Sequence, residues 1–204
     1  MTVKIHRIWD EALWRTSHQR PLDAAVALIS WTPPSAIDSG RPPYIEPMIA
    51  TLCVANGPVA FRLFFDGNLS PMATIVRARR KRFPFSVWER VSQRWGADVV
   101  IATTAGDARE MFDQHWSMQG QAAFIFEHGA DTRHAIEILS RTRDWKSQRL
   151  PAGVSLLLSP AVDGDGILLA AKDDITLETA VAGIDAWCGA ANVPLEYAAP
   201  ARIP

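Results

Sequence analysis

Residues 97–126 read ADVVIATTAGDAREMFDQHWSMQGQAAFIF, and the fold class rests on them. Residues 97–103 (ADVVIAT) form a nearly continuous apolar run, the pattern of a strand covered on both faces. Thr104, with Asp107 three positions on, is a helix start, because a hydroxyl at that spacing satisfies a free backbone N–H. The helix runs to about Met118, and Gly120 ends it. Residues 121–126 (QAAFIF) are a second strand of the buried type. A strand–helix–strand unit implies at least one parallel pair with a right-handed crossover.

Downstream, Asp131 or Thr132 caps a further helix whose Ala135, Ile138, Leu139 and Thr142 share one face. After Lys146–Arg149 and Pro151, the runs Val154–Pro160 and Ile167–Ala171 flank Asp163-Gly-Asp-Gly166, which predicts a hairpin. A last helix starts near Asp174, buries Leu177, Val181, Ile184 and Cys188, and ends around Gly189–Asn192. Pro194–Tyr197 then reads as an edge strand.

Upstream, Phe83-Pro84 breaks the chain, and Ser86 with Glu89 forms a capping-box pattern before Trp88, Val91 and Trp95. Residues 2–9 begin as a strand. Leu22–Trp31 is an apolar run that fits helix or strand; its alanines favour helix, and Pro33-Pro34 closes it either way. Residues 32–47 carry five prolines and read as an extended, partner-contacting surface loop. Met48–Ala55 and Val59–Phe65 surround Asn56-Gly57-Pro58, a second expected hairpin. Ser70-Pro71 opens a helix predicted through about Arg82.

The pattern as a whole predicts an α/β fold, with mixed α+β as the alternative. It has a mixed sheet, two β-hairpins, at least one parallel βαβ unit, and helices packed on the sheet. The chain is read as a single domain, 1–204. The alternative is a split into a hairpin-containing region, 1–84, and an alternating α/β region, 85–204.

With 48% hydrophobic and 21% charged residues, the composition is that of a globular protein. The net charge of −1 supplies no global attraction for nucleic acid or anionic membranes, so either role needs a local patch. Cys53 and Cys188 lie in apolar segments and read as buried thiols of a reducing compartment. The N-terminus is too polar for a secretory signal, and no run approaches the roughly 18 apolar residues of a membrane span. The expected location is therefore the cytoplasm. Eight tryptophans supply either large core anchors or an aromatic interface.

No phosphate-binding glycine loop, zinc-protease motif or nucleophile elbow is present. No cofactor or metal is expected. Asp163 and Asp165 are explained by a turn. The spacing of His128, Asp131 and His134 drifts around a helix and converges on a metal only if His128 lies off that helix. His115 sits among apolar neighbours, and His6 and His18 have no motif around them.

The small-molecule candidate is positional. Thr103, Thr104 and Gly106 follow one strand, and Glu127, His128, Gly129 and Asp131 follow the next. If those strands are neighbours, two helix N-termini flank one edge and favour an anionic ligand, with His128 as acid or base. The plainer account makes Thr104 and Asp131 caps, Gly106 and Gly129 turn residues, and His128 a loop histidine.

Charge is distributed unevenly along the chain. Arg77, Arg79, Arg80, Lys81, Arg82, Arg90 and Arg94 face a single acid, Glu89, within residues 72–95. Residues 159–198 hold seven acids against Lys172. These regions attract one another within the fold, or between copies in a head-to-tail or dimeric contact.

Three functions follow. The preferred one is a non-catalytic protein-binding or regulatory module of the bacterial-type cytosolic class, engaging a protein partner or a second copy as a homodimer. The second is an enzyme acting on an anionic small molecule at Thr103, Thr104, Gly106, His128 and Asp131. The third is nucleic-acid binding through Arg77–Arg82, where the simpler account is a solvated helix C-terminus.

Overall fold

The computed structural model describes residues 2–6, 21–31, 51, 57–63, 76–78, 98–102, 104, 106–108, 122–132, 148–160 and 166–198. Among the described residues nine strands form one sheet: β1 (Val3–His6), β2 (Ala25–Trp31), β3 (Val59–Leu63), β4 (Val76–Ala78), β5 (Asp98–Ala102), β6 (Ala122–Phe126), β7 (Val154–Pro160), β8 (Gly166–Ala171) and β9 (Leu195–Tyr197). Their order is β4-β5-β3-β6-β7-β8-β2-β1-β9. One long helix, α1 (Asp174–Ala190), joins β8 to β9.

The sheet is mixed and the architecture α/β. β1 and β9 pair in parallel, and the other neighbours pair antiparallel. Tracing directions through the ladder, β8 and β9 run the same way with β2 and β1 between them. The segment β8–α1–β9 is thus a parallel crossover unit.

Alternation splits the sheet residues into two buried sets. Val3, Ile5, Ala27, Ile29, Ile125, Leu156, Ile167 and Leu169 lie in one cluster with Leu177, Val181, Ile184 and Cys188 of α1. Val26, Ala60, Phe124, Phe126, Val154, Leu157, Leu168 and Ala170 form the other. Each fully buried Leu, Ile or Phe contributes roughly 1.5–3 kcal/mol.

Both ends of α1 are set by their local sequence. At its start, the Thr176 backbone N–H donates to Asp173 Oδ1 at 2.7 Å. At its end, Asn192 takes a left-handed φ of 53°, and the Val193 N–H donates to the Cys188 carbonyl at 2.8 Å. That is the closing geometry of a Schellman turn, with asparagine in place of glycine.

The final hairpin and helix fall where the sequence pattern puts them; two upstream expectations do not hold, and one open choice falls to strand. β3 is hydrogen-bonded on both edges, by β5 and β6, so no hairpin with 48–55 can form beside it, and Thr51 is helical and buried. Residues 76–78 are strand, pairing with Val99–Ile101 of β5, which interrupts the helix expected over 70–82. Residues 25–31 are strand rather than the alanine-favoured helix, because Val26 and Leu28 face one side while Ala27, Ile29 and Trp31 enter the core on the other. In each case long-range pairing overrides a local signal.

Candidate functional site

β5, β6 and β8 run in one direction, so their carboxyl ends share one edge of the sheet. β5 and β6 are not neighbours, so the condition set for the small-molecule site is not met: β3 lies between them, with Val59 opposite both Ala102 and Ile125. The two strand ends therefore stand about 10 Å apart, two strand spacings, across Gly57-Pro58.

At the end of β5, Thr104 Oγ1 accepts from the Asp107 N–H at 3.1 Å, and the Ala108 N–H donates to the Thr104 carbonyl at 3.0 Å. Thr104 is a helix cap, and Gly106 lies in the turn it opens. Thr103 lies outside the described residues. At the end of β6, His128 and Asp131 are exposed, and Gly129 has a positive φ of 77°. Thr132 is helical, which leaves Asp131 at the cap position. The expected residues reach one edge, but as two turns separated by a strand. His134 and His115 lie outside the described residues, as do loop 32–47 and Cys53.

The best-built part of this edge involves residues that belong to no sequence motif. A bulge lies in the β6–β7 ladder, where Ile125 faces Leu156 but Phe126 faces Val154. Ser155 is the extra residue. Its hydroxyl donates to the Ile125 carbonyl at 3.0 Å, and its carbonyl accepts from the Lys172 N–H at 3.0 Å. The bulge thereby ties the end of β6 to the end of β8. Directly above, the Lys172 ammonium donates to Glu127 Oε1. That bond raises the Lys172 pKa and keeps the amine protonated. The Thr176 hydrogen bonds hold the Asp173 carboxyl below its ordinary range. The signal was present in the chain, since Glu127 and Lys172 each directly follow a strand.

Arg149 completes the edge, with Nη2 at 2.8 Å from Asp23 Oδ2. Among the described residues the edge carries six acids (Asp23, Asp107, Glu127, Asp131, Asp173, Asp174) and two cations (Arg149, Lys172), both cations paired with acids. That balance opposes an anionic ligand. No group of three metal-binding side chains gathers among the described residues.

The other polar cluster lies on the far strands. His6 Nε2 and Ser30 Oγ are 2.9 Å apart, and Lys4 pairs loosely with Glu196 at 3.7 Å. Burial, then the charge of Lys4, lowers the His6 pKa. The outer face of α1 exposes Asp174, Ile175, Glu178, Thr179, Ala182, Asp185 and Ala186. No helix among the described residues is long and apolar enough to cross a membrane.

Of the basic cluster, Arg77 lies on β4, at the edge of the sheet. Arg79, Arg80, Lys81, Arg82, Arg90 and Arg94 lie outside the described residues. Comparison with protein-family models, curated proteins and solved structures gives no match.

Proposed function

We propose that this chain is a non-catalytic binding module that engages a protein surface of positive charge through the outer face of α1. The carrying observation is the composition of that face. Asp174, Glu178 and Asp185 are exposed, and no lysine or arginine occurs between Asp173 and Tyr197.

Helix stability does not account for this pattern. Asp173 and Asp174 suit the N-terminus, but the like-charged pair Asp174 and Glu178, four residues apart, costs a few tenths of a kcal/mol. Asp185 lies in the C-terminal third, where a carboxylate opposes the helix dipole, and the last turn holds no basic residue. The inner face, with Leu177, Ala180, Val181, Ile184 and Cys188 buried, fixes the helix as a rigid presenting surface.

A lysine-rich helical peptide serves as the probe. The intact chain binds it, more weakly as salt rises, and the pair Glu178→Lys and Asp185→Lys abolishes binding while circular dichroism is unchanged. Equal binding by that variant contradicts the proposal.

The small-molecule reading draws support from helices that begin at the carboxyl ends of β5 and β8, and is opposed by the acid excess there. The nucleic-acid reading rests on Arg77–Arg82. It predicts affinity that falls steeply with salt and is lost when these arginines become glutamine.

A further inference from the structure

Four polar residues share the face of the sheet turned away from α1. Val3, Ile5, Ile29 and Trp31 belong to the cluster that α1 covers, with Leu195 packed against it. Alternation along each strand therefore puts Lys4 and His6 of β1, Ser30 of β2 and Glu196 of β9 on the opposite face. The register sets Lys4 directly across from Ser30 on one side and from Glu196 on the other. His6 lies two residues along from Lys4 and reaches diagonally to Ser30, with Nε2 2.9 Å from Oγ. Both His6 and Ser30 are partly exposed.

The Ser30 hydroxyl is placed differently from others in the chain. Those of Thr104, Ser155 and Thr179 are engaged with backbone groups, whereas Ser30 meets an imidazole. On the β8 side its register partner is Gly166, which sets no side chain beside it. A hydroxyl within hydrogen-bond reach of a neutral imidazole is the pairing that makes serine a nucleophile. Burial, then the charge of Lys4, holds the His6 pKa below its ordinary 6.5, so the ring is a free base at neutral pH.

We propose that Ser30 is a covalent modification site, acylated by an activated ester (an aryl ester or a thioester) with His6 as general base. In this step Ser30 Oγ attacks the acyl carbonyl carbon while His6 Nε2 takes the hydroxyl proton. The bond to the leaving phenolate or thiolate then breaks, and His6 returns the proton to that group. An acyl ester on Oγ remains. β2 is paired on both sides here, so its backbone amides are committed to the ladder and form no oxyanion hole. That restricts the reaction to activated esters and slows release, so one acyl group is kept per chain. The site is independent of the binding role given to α1 on the other face.

The test treats the intact chain with p-nitrophenyl acetate and maps the product by peptide mass spectrometry. One acetyl group appears per chain, on Ser30, with a matching burst of p-nitrophenolate. Ser30→Ala removes both, and His6→Gln slows acylation at least about a hundredfold. In the unaltered chain the rate is level above about pH 6.5 and falls below it as His6 takes up a proton. Acetyl groups found only on other residues overturn the proposal, as does a Ser30 label that forms equally fast in His6→Gln. If His6→Gln fails to fold, the pH profile decides. A rate that keeps rising about tenfold per pH unit through about pH 8 marks hydroxide-driven chemistry without the imidazole, and overturns the role of His6 and the proposal with it.

Discussion

The stretch β7–β8–α1–β9 and the stretch β3–β4–β5 belong to the same sheet, yet they are specified in different ways. In the first, each element follows its partner closely. β7 and β8 form a hairpin, and α1 follows within three residues, capped by Asp173 and closed at Asn192. In the second, the partners are remote. β3 pairs with strands that begin at residues 98 and 122, and β4 pairs with β5. Local turn and capping chemistry therefore suffices for one region and misleads in the other, because closing a long loop is driven by core burial rather than by the turn itself.

The largest way to test that division is at the seam between the two regions. Phe124 of β6 is fully buried, in a strand paired with β3 on one side and β7 on the other. Phe124→Ala is expected to cost about 3–5 kcal/mol and to weaken both regions together. Chemical denaturation followed by hydrogen exchange measures this; protection lost in only one region would mean that the sheet is not one cooperative unit.

Gly166→Ala comes next. A Cβ there would lie 2.6 Å from the Ile29 carbonyl oxygen and 3.2 Å from Leu28 Cδ1, forcing β2 and β8 apart at a cost of about 1–3 kcal/mol. An unchanged melting temperature would show that this close approach is absent.

Ser155→Ala leaves the Ile125 carbonyl at the bulge without its hydroxyl donor, at about 1–2 kcal/mol. Loss of the sharp tie between β6 and β8 should appear as faster exchange of the Lys172 amide. Asp173→Ala removes the α1 cap at about 1 kcal/mol, whereas Asp173→Asn retains most of it. Equal losses in the two variants would contradict a capping role.

The smallest effect is on pH. The folded His6 pKa lies below its ordinary 6.5, so the unfolded chain binds the proton more readily. Stability from this group is complete above about pH 6.5 and declines as pH falls below it. His6→Gln should flatten that part of the stability profile between pH 7 and 5; an identical slope would remove His6 as its source.

How far the sequence was legible follows the same line. The strands 98–102, 122–126, 154–160 and 166–171 and the helix at 174 are visible because apolar runs meet turn or cap residues at both ends. Over 25–31 the alanines favour helix by propensity, although Ala27 enters one cluster and Val26 the other, which is the alternation of a strand. Gly57 and Pro58 directly precede β3, but turn residues do not name the strand's partner.

At the carboxyl edge, Thr104 was correctly placed as a cap, since capping is local. That β3 separates Thr104 from His128 was not legible, because strand order is a long-range property. The Glu127–Lys172 pair was missed for the same reason: its members are 45 residues apart and are joined through a bulge that no motif announces.

The most direct measurement is the distance between spin labels on Arg77→Cys and Glu178→Cys in a background lacking the native cysteines, recorded by pulsed dipolar spectroscopy on the dilute, high-salt monomer. The strand order predicts a separation of about 25 Å or more, because β4 and β8 are five neighbours apart. A distance below about 15 Å, roughly three strand spacings, would contradict the strand order and with it the account.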